Sequence, residues 1–207
     1  MSDSLLLIFV KHPIPGQVKT RLAATVGHDT ALKVYQALLR FTCELAQELT
    51  VDKAVFYGNQ IPDTDVWQEA SFPRHLQQGP NLGSRMEHAF AWAFDQGYQK
   101  VVVIGSDCAH LTTDILRQAF DTLRQNDGVI GPALDGGYYL LGLCEAFPAV
   151  FQNKVWSTES VFPDTKADFE RANKSLFQLI SLSDVDHEED LKGTFLEALL
   201  SEQSAED

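Results

Sequence analysis

The chain has 207 residues, 44% of them hydrophobic and 22% charged, with a formal net charge of −13. That length suits one domain, residues 1–200, with a frayed tail over 201–207, and the apolar content is enough for a real core. The acid excess excludes a general nucleic-acid binder, which needs a basic face to displace counterions, and it argues against docking on anionic membranes.

Leu5 to Val10 is a continuous apolar run, which predicts a strand buried on both faces. Pro13, Pro15 and Gly16 break it into a loop. Asp29 or Thr30 then caps a helix to about Thr50, with Ala31, Val34, Tyr35, Leu38 and Leu45 at helical spacing. "KAVFYG", closed by Gly58, reads as a second strand. "IPDTDVWQEA" is a loop leading into one helical turn, and "RHLQQGP" holds a short third strand. Leu82 to Asp95 is a helix ended by Gly97, and "KVVVIGSD" is the clearest strand in the chain.

Thr112 or Thr113 caps the next helix, and "DGVIGPA" and "GGYYLLGL" are two further strands. Beyond Ala146 the chain is mostly helical, with a strand near Phe177 to Leu182. A last helix spans His187 to Leu200, with capping-box spacing at Asp186 and Glu189. This alternation predicts an α/β three-layer sandwich on a mainly parallel, mixed sheet. No apolar run reaches membrane-spanning length and no signal peptide is legible, so a cytoplasmic location without membrane insertion is expected. Cys43, Cys108 and Cys144 are widely spaced and read as small apolar residues in a reducing compartment.

Two loops carry the chemistry. Lys11, Lys19 and Arg21 put three cations into eleven residues, where sixteen Lys and Arg in 207 residues predict about one. A di- or triphosphate explains the excess, since each cation–phosphate pair near a surface has a Coulomb energy of about 4 kcal/mol before desolvation. Arg21 suits a bidentate fork, Lys19 a point charge, and Gly16 a close backbone approach. A solvated basic turn in an acidic chain is the alternative. The second loop is "GSDCAHL", where Ser106 joins the phosphate-binding candidates and Asp107 suits Mg2+ held jointly with phosphates. In doubly wound sheets the strands ahead of these loops are often neighbours, and ligands sit in the crevice between their carboxyl ends.

Three further groups have two readings each. Asp135, before Gly136 and Gly137, is a hairpin turn or a ligand or base beside substrate. Asp186 belongs to an acid-rich helix start or is a second metal contact. Arg85, in "NLGSRM", is a surface residue or an anion contact. Among histidines and serines there is no HExxH spacing and no G-x-S-x-G elbow, so neither a zinc enzyme nor a triad hydrolase has support.

The stretches Pro13–Leu22, Asn81–Met86, Gly105–Cys108, Asp135–Leu143 and Trp156–Thr158 together resemble a small bacterial glycosyltransferase-A-like family, whose members are often named after radical-SAM or arsenosugar gene clusters. The resemblance spans most of the chain. It implies a nucleotide-diphospho-sugar transferase (GT-A-like) fold, a nucleotide on the first loop and a divalent metal at Asp107. It maps phosphate binding onto Lys19 and Arg21 and, more weakly, a late acidic position onto Asp186. It also directs attention to Gly136, Gly137 and Trp156 as substrate contacts. Ala109 and Asn81 depart from it, standing where a proline and an acidic residue are common.

The expected activity is a Mg2+- or Mn2+-dependent transfer of sugar from a nucleotide-diphospho-sugar to a small-molecule acceptor. Asp107 and Asp186 serve the metal and Asp135 is the candidate base, with His110 in reserve. The closest alternative is a nucleotidyltransferase joining a nucleoside triphosphate to a phosphorylated metabolite. A non-catalytic nucleotide-binding protein is the alternative from another class.

Overall fold

A computed structural model describes residues 2–201, so the tail expected over 201–207 lies outside the described residues except for Ser201. Seven strands form one sheet: β1 (Ser4–Val10), β2 (Asp52–Tyr57), β3 (Arg74–Leu76), β4 (Lys100–Ile104), β5 (Gly128–Pro132), β6 (Tyr138–Leu143) and β7 (Leu176–Gln178). Their order is β3-β2-β1-β4-β6-β5-β7, and only β6 runs antiparallel to its neighbours.

Helices cover both faces, which explains why β1 is apolar without interruption. Leu6, Ile8 and Val10 point to one side, where Tyr35, Leu39 and Cys43 of α1 (Thr20–Gln47) and Leu116 and Ala119 of α4 (Thr113–Thr122) pack. Leu5 and Leu7 point to the other, against Met86 and Phe90 of α3 (Leu82–Asp95) and Phe169 of α5 (Val161–Arg171). The two-residue period of the strand divides the core into these two layers. A third apolar cluster lies on the outer side of α1, where Leu22, Ala31, Val34 and Leu38 meet Val185, Leu191 and Leu196. That packing draws the C-terminal segment across the start of α1.

Two expectations are corrected. The expected helix begins directly after a break at Gly27 (φ 77°, ψ 163°), close to Asp29, and a further helical segment from Thr20 precedes it that was expected as loop. The segment ahead of that break, with Leu22, Ala23 and Val26 buried, is only about two turns long and follows a proline- and glycine-rich loop, so its residues read as loop. The long helix expected over His187 to Leu200 is absent. In its place stand a 3-10 turn at Glu188–Leu191 and α6 (Ala198–Ser201), with Gly193 at φ 71° between them. The capping box of that turn is formed by His187 and Asp190, whose carboxylate accepts from the N–H groups of Asp186 (2.9 Å) and His187 (2.7 Å), rather than by Asp186 and Glu189.

Candidate active site

Strand β1 has β2 on one side and β4 on the other, so the chain direction across the sheet reverses between β1 and β4. The loops leaving this point diverge and open a crevice at the carboxyl ends of the strands. Buried Tyr35 of α1 joins the two loops at their roots. Its phenol accepts from the Lys11 N–H (2.8 Å), donates to the Lys11 carbonyl (3.2 Å), and has the Ser106 hydroxyl at 3.5 Å. Burial, and next the charge of Asp107, push the phenol up to about 12, so it stays protonated.

Lys19 and Asp107 meet across the crevice in a direct ion pair. The Lys19 side chain is only 4% exposed, and its ammonium also donates to the Val185 carbonyl at 2.7 Å. Asp186 lies 3.9 Å from the same ammonium and is gripped by Arg21 at 2.8 Å. Asp107 is 47% exposed and Arg21 63%, so the cluster opens to solvent on one side. Lys19 is held in the left-handed region (φ 48°, ψ 44°) at the N-terminus of α1, a conformation that costs a non-glycine residue about 1–3 kcal/mol. The Val185 N–H bonds the Asp107 carbonyl at 2.8 Å, which ties the C-terminal segment to the loop after β4.

Asp184 is the acid that the sequence did not single out. Burial first, then the nearby charge of Asp107, raise its pKa to about 7, partly offset by Lys19; Asp135 and Asp186 add to the rise. Asp184 and Asp186 flank buried Val185. That D-x-D alternation was the available signal, hidden because the segment reads as the acidic start of a helix.

Asp135 stands on the short connection between β5 and β6. One of its oxygens accepts from the Gly137 N–H at 2.8 Å, so the turn reading describes its geometry while the side chain stays exposed. Gly136 (φ 88°) packs so tightly that an added Cβ would lie 2.5 Å from the Glu159 carbonyl. Trp156 is half-buried. It lies edge-on to Tyr138 and covers Gly83, where a Cβ would collide with the indole nitrogen.

The remaining candidates sit as follows. Gly16 has φ 75° and is exposed. The Lys11 side chain is exposed and makes no ion pair among the described residues. Arg85 donates through Nε to the Gly79 carbonyl at 3.1 Å, which leaves its outer nitrogens for another acceptor. His110 is exposed and lines a groove of about 640 Å³ with Phe41, Leu45 and Glu48, on the α1 side of the loop.

The two departures from the family pattern have local explanations. Asn81 caps α3 by accepting from the Ser84 N–H at 2.9 Å, a task an acidic residue does equally well. Ala109 is buried against the outer face of α1.

This sheet order and crevice define the nucleotide-diphospho-sugar transferase, GT-A-like fold. A crystal structure of a candidate nucleotide-diphospho-sugar transferase from Desulfovibrio desulfuricans G20 matches with a TM-score of 0.89 at 35% identity, over 99% of this chain and 96% of that one. The chain belongs to the family described as uncharacterized protein conserved in bacteria (DUF2064), whose signature matches residues 38–158.

The fold alone is shared with 4-diphosphocytidyl-2C-methyl-D-erythritol synthase from Anaerococcus prevotii DSM 20548 (TM-score 0.61, 10% identity, 97% and 96% of the two chains). It is also shared with glucosyl-3-phosphoglycerate synthase from Mycobacterium tuberculosis, solved with Mg2+ and UDP (TM-score 0.54, 10% identity, 87% and 69%). No curated protein matches the chain. No helix among the described residues is long and apolar enough to cross a membrane.

Proposed function

We propose that this protein is a glycosyltransferase that uses a nucleotide-diphospho-sugar donor with Mg2+ or Mn2+ and passes the sugar to a small acceptor. The observation that carries this reading is the meeting of Lys19, Arg21, Asp107 and Asp186 at the carboxyl ends of β1 and β4. The crevice sets acids and cations where a diphosphate and its counter-ion would both find partners.

The donor set fits a divalent ion. Asp107 and Asp186 converge on the Lys19 ammonium from two different segments, and Asp184 beside them is raised to about 7, first by burial and next by the charge of Asp107. Among the described residues no group of three His, Cys, Asp or Glu closes a cage by itself. Asp107 and Asp186 would hold the ion, with phosphate and water oxygens as the other ligands. Bound there, it would supply Lewis-acid stabilisation of the leaving diphosphate.

The residues of the chain do the rest. Arg21 and Lys11, both exposed, neutralise phosphate oxygens from the first loop, and Gly16 lets the backbone approach them. Ser106 lines the floor beside Asp107 and Arg85 offers its outer nitrogens from the start of α3. Gly136, Gly137 and Trp156 shape the acceptor side. Asp135 takes the proton of the acceptor hydroxyl through its free carboxylate oxygen. His110, facing its groove beside α1, is the weaker candidate for that task.

A nucleotidyltransferase is the second reading, favoured by the fold likeness to the diphosphocytidyl-methylerythritol synthase, whose TM-score of 0.61 exceeds the 0.54 of the glucosyl-3-phosphoglycerate synthase. Phosphorus NMR separates the two. Incubation with a panel of nucleotide sugars, nucleoside triphosphates and acceptors should release nucleoside diphosphate. Release of pyrophosphate instead would establish the second reading. Tight nucleotide binding with neither product would leave a non-catalytic nucleotide-binding protein.

A further inference from the structure

We infer that Lys19 is the resident cation of the metal position: its ammonium holds Asp107 from inside the protein and suppresses binding of free divalent metal, so that metal binds well only together with a polyphosphate. This rests on the nucleotide-transferase reading of the crevice and goes beyond it, because it assigns Lys19 a task before any nucleotide arrives.

Geometry is the basis. The Lys19 side chain is 4% exposed, so it is a buried charge with fixed partners rather than a mobile surface lysine. Its ammonium pairs with Asp107 and donates to the Val185 carbonyl. Its backbone is held at φ 48°, which aims the side chain inward from the helix start at a conformational cost. Asp107, by contrast, is 47% exposed. Lys19 therefore reaches this carboxylate from the protein side, and a solvent cation can reach it only from the other.

Charge count gives the same result. Asp107 and Asp186 face two cations, Lys19 and Arg21, so these paired groups are neutral overall before an ion arrives. A divalent ion must therefore settle beside an ammonium already seated on its best ligand, and the two positive charges repel. A diphosphate relieves the conflict by bringing negative charge to the exposed side of the crevice, which offsets the repulsion between the ion and the buried ammonium. Metal and polyphosphate then strengthen each other's binding by the same factor.

The test is a titration with Mn2+ alone, followed by electron paramagnetic resonance, on the full-length wild type, Lys19→Met, Asp107→Asn and the double variant. Lys19→Met should bind Mn2+ at least about tenfold more tightly than wild type, since a neighbouring charge shifts a carboxylate's cation affinity by about one to three powers of ten. Asp107→Asn should abolish that gain. Added inorganic pyrophosphate should tighten Mn2+ binding more in wild type than in Lys19→Met.

If Lys19→Met binds Mn2+ no more tightly while Asp107→Asn weakens binding, the inference falls and the metal position stands. If Asp107→Asn changes nothing in either background, the metal position itself falls, and with it the crevice as proposed. Reductive methylation of the wild type, read at the Lys19 peptide by mass spectrometry, covers the case of a variant that does not fold. Saturating Mn2+ should speed labelling of Lys19 several-fold, and unchanged labelling overturns the inference.

Discussion

Tyr35→Phe isolates the joint between the two working loops. The ring stays in the core, and the change deletes only the phenol oxygen, which serves the Lys11 N–H, the Lys11 carbonyl and the Ser106 hydroxyl. A net hydrogen bond contributes about 0.5–1.5 kcal/mol, and a buried donor left unpaired costs about 1–3 kcal/mol. Lys11 itself is exposed, so water can reach part of the vacated site, and Ser106 contributes little at 3.5 Å. The expected loss is therefore about 1–2 kcal/mol, read as a lower urea midpoint with an unchanged slope. Amide exchange should also quicken at residues 11–18 and 105–107, and Mn2+–pyrophosphate binding should weaken with it. A midpoint within about 0.3 kcal/mol of wild type, well under the loss of one hydrogen bond, would refute the argument that this oxygen holds the crevice together.

Other substitutions test neighbouring parts. Gly83→Ala places a methyl 2.5 Å from the Phe151 carbonyl and against the Trp156 indole; it should destabilise by about 1–2 kcal/mol in urea unfolding, overpacking outweighing the gain in helix propensity. Asp107→Ala strips the buried Lys19 of its main partner, so it should lose both Mn2+ binding and about 1–3 kcal/mol of stability, the upper range for buried pairs being discounted for the exposure of Asp107. Asp107→Asn, measured beside it by thermal unfolding, should lose the metal but less stability. Asp184→Asn addresses pH. Because the folded pKa of about 7 lies above the ordinary 3.8, the stability tied to this proton is full below about pH 4 and is lost as pH rises through 7. At about 1.4 kcal/mol per pKa unit, wild type should lose up to about 4 kcal/mol between pH 4 and 8, and Asn should flatten that decline in urea titrations; parallel curves would show that Asp184 does not titrate in this range.

The sheet was legible because its strands are short apolar runs bounded by glycine, proline or acid, and α3 because its period is uninterrupted from Leu82 to Asp95. The start of α1 was hidden by Gly27, which cuts the first segment off after about two turns, directly behind a loop rich in proline and glycine. The end of the chain was misread for the opposite reason. Leu191, Leu196 and Leu200 mimic a helical stripe, yet they are apolar because they pack on α1, and Gly193 turns the backbone between them. At the site, Lys19 and Asp107 stood out by charge in unusual places. Tyr35 could not, since its spacing marks it as one more core residue of α1 and nothing local records the Lys11 backbone waiting for its oxygen. Asp184 was concealed among acids, and only the fold reveals which of them is half-buried beside Asp107.

The antiparallel strand β6 has its own consequence. Because it runs against β5, the return between them needs only residues 133–137, where every parallel neighbour needs a long crossover. Asp135 thus rides on a short return held by its own backbone bonds and by the close packing of Gly136 on Glu159, while Lys19 and Asp107 are anchored through α1 and the C-terminal segment. The architecture thus separates a rigidly tied ion pair from an acid carried on a short surface return.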